Sequence, residues 1–229
     1  MLGVFDSGRG GLGALCELRS LLPTADIAYL SDTKNLPYGE KSPETLIPLI
    51  ERALNKLYSL GCTRILIACV TASSLHSRLS PTLRHVCFPI ITPVAQEAAR
   101  VSKGGRIGIV ATARTVKEGV LYRRLIDDGS IHVEESVGTG LVELVEAGRT
   151  DENDAEALCA AYRALVPHLK SRVDTLLLGC THYPSLSPLF RRLLPSDTVL
   201  VPSGEVGARA FVRTLSDEDC IGQGITLFF

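Results

Sequence analysis

Two cysteines, Cys69 and Cys180, stand where a thiol can do chemistry. Each closes a run of strand-forming or small residues, Ile65-Leu66-Ile67-Ala68 and Leu176-Leu177-Leu178-Gly179, and each is followed closely by a threonine, Thr71 and Thr181. A strand buried on both faces delivers its last side chain at its carboxyl end, where open α/β sheets bind ligands. A helix starting just beyond would favour a thiolate there. A buried cysteine is by default a small apolar residue, and only the strand end, the expected helix start and the threonine together lift these two above it. Cys16, Cys62, Cys87, Cys159 and Cys220 lack that setting and read as structural. His182, two residues after Cys180, can exchange a proton with a thiol, whereas His76, His85, His132 and His168 have no comparable neighbour. Asp6, after Leu2-Gly3-Val4-Phe5, either caps the first helix or does chemistry.

The elements that must position these residues alternate along the chain. Strands are expected at Leu2 to Phe5, Asp26 to Leu30, Arg64 to Ala68, Arg106 to Ala111, Ile131 to Glu135 and Asp174 to Gly179, with a brief extended segment from Pro89 to Pro93. Helical spacing follows Leu12, Leu15, Leu18 and Leu22 up to Pro23. Ser42-Pro43 reads as an N-cap with proline at the first helical position, opening a helix to about Ser59. Further helices are expected from Cys69 through Leu79, Thr115 to Asp127, Gly140 to Ala147, Asp151 to Ser171, and from near Pro184. Alternating strands and helices with crossover lengths argue for parallel sheets.

Leu2-Gly3-Val4-Phe5-Asp6-Ser7 is echoed by Ile107-Gly108-Ile109-Val110-Ala111-Thr112, just as Ile65 to Cys69 is echoed by Leu176 to Cys180. The expected fold is therefore α/β, with two similar lobes of mainly parallel sheets flanked by helices and an active site in the cleft between them. Residues 1–92 with 202–229 would form the first lobe and 93–201 the second.

Gly8-Arg9-Gly10-Gly11-Leu12-Gly13 matches G-x-G-x-x-G between a strand and a helix, and Asp32 lies near the spacing of a ribose-binding acid. Asp6 at the strand tip would repel a pyrophosphate, and close strand–helix packing also calls for glycine, so a nucleotide site is disfavoured. The 24 basic and 25 acidic residues nearly cancel, and without a basic stripe a nucleic-acid partner is not expected. Seven cysteines, scattered and odd in number, fit reduced thiols of a cytoplasmic protein. No apolar run approaches the ~20 residues of a membrane span.

At these residues the chain resembles the glutamate racemase family, within the wider aspartate/glutamate racemase fold. The resemblance lies in Gly3 to Gly8 with Gly10-Gly11-Leu12, in Asp32-Thr33 and Pro37 to Ser42, in Ala68-Cys69 with Thr71-Ala72-Ser73, in Leu144 to Gly148, and most specifically in Gly179-Cys180-Thr181-His182-Tyr183-Pro184. It implies a cofactor-independent racemase of L- and D-glutamate that supplies peptidoglycan precursors, with neither metal nor pyridoxal phosphate required. Cys69 and Cys180 would be the catalytic thiols, Asp6 and His182 their assistants, and Glu146 would stand near His182. Ser7, Pro37, Tyr38, Gly39, Thr71 and Thr181 would contact substrate. Homodimer formation stays open.

The chain departs from the family pattern at Val70, where the family has asparagine, at Gly138-Thr139, where it has Cys-Pro, and over Thr92 to Glu97, which lacks its Glu-Pro-Gly. A weakly active or repurposed paralogue that binds an acidic amino acid, or a racemase of aspartate, is the alternative. A thiol hydrolase and a zinc protein using Cys69, Cys180, His182 and Asp6 are further rivals.

Overall fold

The computed structural model describes residues 1–126 and 130–229. The chain divides into two compact units, Met1–Ile91 with Gly204–Phe229, and Thr92–Ser203. Its strands are β1 (Leu2–Asp6), β2 (Ile27–Ser31), β3 (Arg64–Ile67), β4 (Cys87–Pro89), β5 (Arg106–Ala111), β6 (His132–Val137), β7 (Thr175–Gly179), β8 (Val199–Pro202) and β9 (Thr226–Phe228). The first unit holds a sheet in the order β4-β3-β1-β2-β9 and the second one in the order β6-β5-β7-β8. Every pairing is parallel.

The internal echo extends to register. Gly3 on β1 pairs with Ile65 on β3, and its counterpart Gly108 on β5 pairs with Leu176 on β7. A Cβ at Gly3 would come within 2.9 Å of Ile65, and one at Gly108 within 3.0 Å of Leu176 and 2.7 Å of His168 Nδ1, so Gly108 also makes room for a buried imidazole. Strands β1 and β7 are buried along their whole length, as all-apolar runs in parallel sheets require.

Each unit has its own core. In the first, Leu46, Ile50, Leu54 and Leu57 line one stripe of the helix Pro43–Ser59 and pack with Phe5, Ile65 and Ile67. That helix starts as expected, with Ser42 Oγ accepting the Thr45 N–H and Pro43 at the first position. In the second, Ala157, Ala161, Ala164 and Leu165 of the helix Ala155–Ser171 pack with Leu176, Leu178, Tyr183 and Phe190. Full burial of one such leucine contributes roughly 1.5–3 kcal/mol.

Several expected elements differ. The segment Pro89 to Pro93 is extended only to Pro89, and a helix Ile91–Val101 begins at once. Pro93 sits in its first turn, where a missing N–H costs nothing. The single helix expected through Leu79 is instead Val70–Ser73, a 3-10 turn His76–Arg78, and a helix Pro81–Val86. The helix expected from Thr115 begins at Ala113, because Thr112 caps it. It breaks at Gly119 in the left-handed region (φ 59°) and resumes as Val120–Ile126. Its expected end at Asp127 lies outside the described residues. The long helix starts at Ala155 rather than near Asp151, since Asp154 accepts the N–H groups of Glu156 and Ala157. Among the described residues no helix is long and apolar enough to cross a membrane.

Candidate active site

In the first unit, adjacent strands β1 and β3 end on Asp6-Ser7 and Cys69. The Cys69 thiol is 4% exposed, and its Sγ lies 3.4 Å from Ser7 Oγ. Burial pushes this thiol up to about 12, and the nearby Asp6 carboxylate pushes the same way, against the opposing pull of Ser7 and the Ala72 N–H. The expectation that a helix start would favour the thiolate is therefore corrected at Cys69. The helix it caps, Val70–Ser73, has four residues, too few aligned peptide dipoles to outweigh desolvation and a neighbouring anion.

Asp6 is fully buried and accepts the Gly8 N–H at 2.8 Å. It does not cap the first helix, Leu12–Leu21, whose N-cap is Gly11. Gly11 is required by Asp6, because a Cβ there would overlap the aspartate side chain. The glycine-rich turn thus wraps a carboxylate, and the N–H of Gly8 already serves it. A phosphate would meet a negative charge at this place.

The segment following β2 supplies the next candidates. Tyr38 and Gly39 are buried in the 3-10 turn Tyr38–Glu40, and Pro37, after a cis peptide bond, accepts from Lys41 Nζ at 2.8 Å. The Tyr38 hydroxyl donates to Asp32 at 2.6 Å, and Asn35 Nδ2 donates to both Asp32 oxygens. Three bonds commit most of that carboxylate's acceptor sites to its own loop. Val70 and Thr71, the first residues after Cys69, are both buried.

In the second unit, β7 ends on Cys180, which is 7% exposed. Its Sγ lies 3.7 Å from His182 Nδ1, and His182 Nε2 lies 2.6 Å from Glu146 Oε1. Glu146 ends the helix Leu141–Glu146 and stays partly exposed, while His182 is buried. Cys180 is followed not by a full helix but by the 3-10 turn Tyr183–Leu186, with the helix Ser187–Leu193 beyond it. Thr181 is buried beside the thiol. Thr112, the echo of Ser7, caps the helix Ala113–Glu118 by accepting from the Thr115 N–H, so the imidazole comes from the strand carrying the cysteine instead.

The Gly138 departure has a packing reason. A side chain there would collide with the Tyr183 hydroxyl and come within 2.8 Å of Leu141, while Tyr183 donates to the Gly138 carbonyl at 3.2 Å. Of the remaining cysteines, Cys62 and Cys87 are buried, but Cys16 and Cys159 are exposed and pack in no core. Sequence reading assigned Ser7 to the substrate and missed its contact with the thiol. The contact depends on β1 and β3 being neighbours in the sheet, a strand order that the sequence does not state. Among the described residues no group of three or more His, Cys, Asp or Glu side chains is placed to hold a metal ion.

The family model described as Asp/Glu/Hydantoin racemase matches residues 19–210. The chain is 36% identical to the glutamate racemase of Pseudomonas paraeruginosa, over 97% of this chain and 84% of that one. Its structure is similar to that of the Thermus thermophilus glutamate racemase in complex with β-chloro-D-alanine, with TM-score 0.80, 32% identity, and coverage of 100% of this chain and 85% of that chain. It is also similar to Escherichia coli glutamate racemase in complex with L-glutamate and the activator UDP-MurNAc-Ala, with TM-score 0.73, 33% identity, and coverage of 93% and 81%. With a parallel α/β sheet in each unit, a cysteine just after β3 in one and just after β7 in the other, and this match over most of its length, the chain belongs to the Asp/Glu/Hydantoin racemase family.

Proposed function

We propose that this protein interconverts L- and D-glutamate without a cofactor, with Cys69 and Cys180 exchanging protons with opposite faces of the α-carbon. The substrate follows from relatives that are glutamate racemases. The chemistry follows from one observation, the line of contacts from Glu146 through His182 to Cys180. When Nε2–H donates to Glu146, the Nδ1 lone pair faces Sγ and can take its proton.

One thiolate removes the α-hydrogen as a proton, and the electron pair left on carbon is held by the substrate carboxylate. The other thiol delivers its own proton to the opposite face. One proton leaves and one arrives, so the product is the enantiomer and the two thiols have exchanged protonation states. At Cys69 the neighbouring Asp6 carboxylate raises the thiol's ionisation, so that thiol starts protonated, and Asp6 would take its proton only when Cys69 acts as the base. Ser7, Pro37, Tyr38, Gly39, Val70, Thr71 and Thr181 would surround the substrate. The reading includes a cytoplasmic enzyme supplying D-glutamate for peptidoglycan, with neither nucleic acid nor membrane as partner and with capacity to form a homodimer, which sedimentation would measure.

The experiment is to follow the optical activity of L- and D-glutamate separately with metal-free protein. Loss of rotation from both, converging on the racemic mixture, supports the proposal. Turnover of aspartate but not glutamate would overturn the substrate assignment, and binding without turnover would make the chain an amino-acid-binding paralogue.

A further inference from the structure

Asp32, half-buried after β2, is not committed to a nucleotide. Its contacts give it another use. The carboxylate accepts the Tyr38 hydroxyl at 2.6 Å and Asn35 Nδ2 at 2.8 and 2.9 Å, while its backbone N–H donates to the Asp6 carbonyl at 3.1 Å. The residue therefore joins the carboxyl end of β1 to the turn that carries Pro37, Tyr38 and Gly39.

The bond to Tyr38 has the length of a strong, charge-assisted O–H···O⁻ contact. Burial and the Asp32 charge both raise the phenol's ionisation above its ordinary value, so the donor keeps its proton through the working pH range. Tyr38 is almost wholly buried, with its ring centroid 6.3 Å from that of Phe5, the residue before Asp6. Lys41 Nζ holds the Pro37 carbonyl from the other side. The turn thus has an apolar anchor on β1 and a polar anchor at Asp32. Packing holds the ring in the core, and the short, directional hydrogen bond fixes its hydroxyl end on Asp32.

We infer that Asp32 is a positioning residue: through the Tyr38 hydroxyl it holds the Pro37–Gly39 turn in register with Asp6, Ser7 and Cys69. This rests on the racemase reading above and adds a residue to its substrate-binding side. Asp32 touches none of the reacting atoms. Its loss should weaken the capture of glutamate and leave the proton transfers intact.

The test is a double-mutant cycle of Asp32→Ala, Tyr38→Phe and the combination, measuring KM, kcat and thermal stability. Asp32→Ala is expected to raise KM about tenfold or more, the effect of losing one hydrogen bond to a charged group, with kcat within about twofold. Tyr38→Phe should raise KM by no more than Asp32→Ala, which also frees Asn35, and the double variant should be no worse than Asp32→Ala alone, because both changes remove the shared Tyr38–Asp32 bond. Asp32→Asn, which keeps a neutral acceptor, should fall between wild type and Asp32→Ala, and it replaces Asp32→Ala in the cycle if that variant does not fold. Additive effects, an unchanged KM, or a fall in kcat at constant KM would overturn the inference. If wild type binds glutamate but does not racemise it, the racemase reading fails and the same cycle is read on the calorimetric Kd. If wild type neither turns over nor binds glutamate, both fall together.

Discussion

His182 Nε2 lies 2.6 Å from the Glu146 carboxylate, which turns Nδ1 toward the Cys180 thiol. Cys69 is flanked instead by a hydroxyl, Ser7, and by an anion, Asp6, that opposes the thiolate. The two thiols are therefore unequal at rest. Cys69 holds its proton and is ready to donate, whereas Cys180 has an acceptor for its own.

Removal of that acceptor should fall unevenly on the two directions. His182→Asn is expected to lower kcat by roughly 10²–10⁴ where Cys180 acts as base, the usual worth of a positioned acid–base group. Glu146→Gln should cost roughly ten- to hundredfold, as one charge-assisted hydrogen bond is lost. Kinetics run separately from each enantiomer check this. Equal small losses in both directions would leave the imidazole without a catalytic part.

Stability should depend on pH at both ends. His168 is fully buried, its Nε2 bonded to Ser136 and its ionisation lowered to about 4 by burial. The unfolded chain protonates it near 6.5, so the stability it contributes is present above 6.5 and is lost as pH falls through 4, on the order of 3 kcal/mol. Cys62, Cys69 and Cys87 are raised from 9.0 to about 11, 12 and 12, each first by burial. Their contribution is complete below pH 9 and is lost as pH climbs through those values. Denaturant titrations across pH 4–7 and 9–12 measure both limbs, and His168→Gln should flatten the acid one.

Gly138→Ala should destabilise the second unit by roughly 1–3 kcal/mol, the cost of overpacking a closed core. The added methyl meets Tyr183, which is itself fully buried against Phe190. Thermal denaturation reads the loss directly. A neutral Gly138→Ala would show that this departure has no packing cause.

Val70 is 2% exposed and begins the helix after Cys69. If it faces substrate, Val70→Asn gains a hydrogen bond to a charged group, and kcat/KM for glutamate should rise roughly ten- to hundredfold. Racemisation and melting temperature are measured on the same variant. A lower melting temperature with no gain in rate would place Val70 in the packing rather than the site.

Much of this molecule was legible in its sequence because parallel strands write themselves plainly. Ile65 to Ile67 and Leu176 to Leu178 are apolar runs, and a residue at such an end has one place to go. The duplication was legible for the same reason, down to the glycines that let neighbouring strands close. Helix interruptions were not. Gly119 breaks its helix only because the chain there takes a left-handed turn that periodicity does not encode, and Pro93 reads as a breaker unless the helix is known to start at Ile91. In the site, Cys180 and His182 are neighbours in sequence, but the contact between Ser7 and Cys69 spans 62 residues. The elevated ionisation of Cys69 was also hidden, since it depends on burial and on Asp6 rather than on the helix start the sequence promised.

The central claim is that both thiols are needed, one for each face of the α-carbon. Its most direct test is proton NMR of L- and D-glutamate in deuterated water with wild type, Cys69→Ser and Cys180→Ser. Wild type should replace the α-proton of either enantiomer by deuterium while both are converted to the racemate. Each single variant should fail to racemise, whereas Cys62→Ser or Cys159→Ser should leave conversion largely intact. Racemisation that persists in both Cys69→Ser and Cys180→Ser, or an α-proton that wild type never exchanges, would contradict the account.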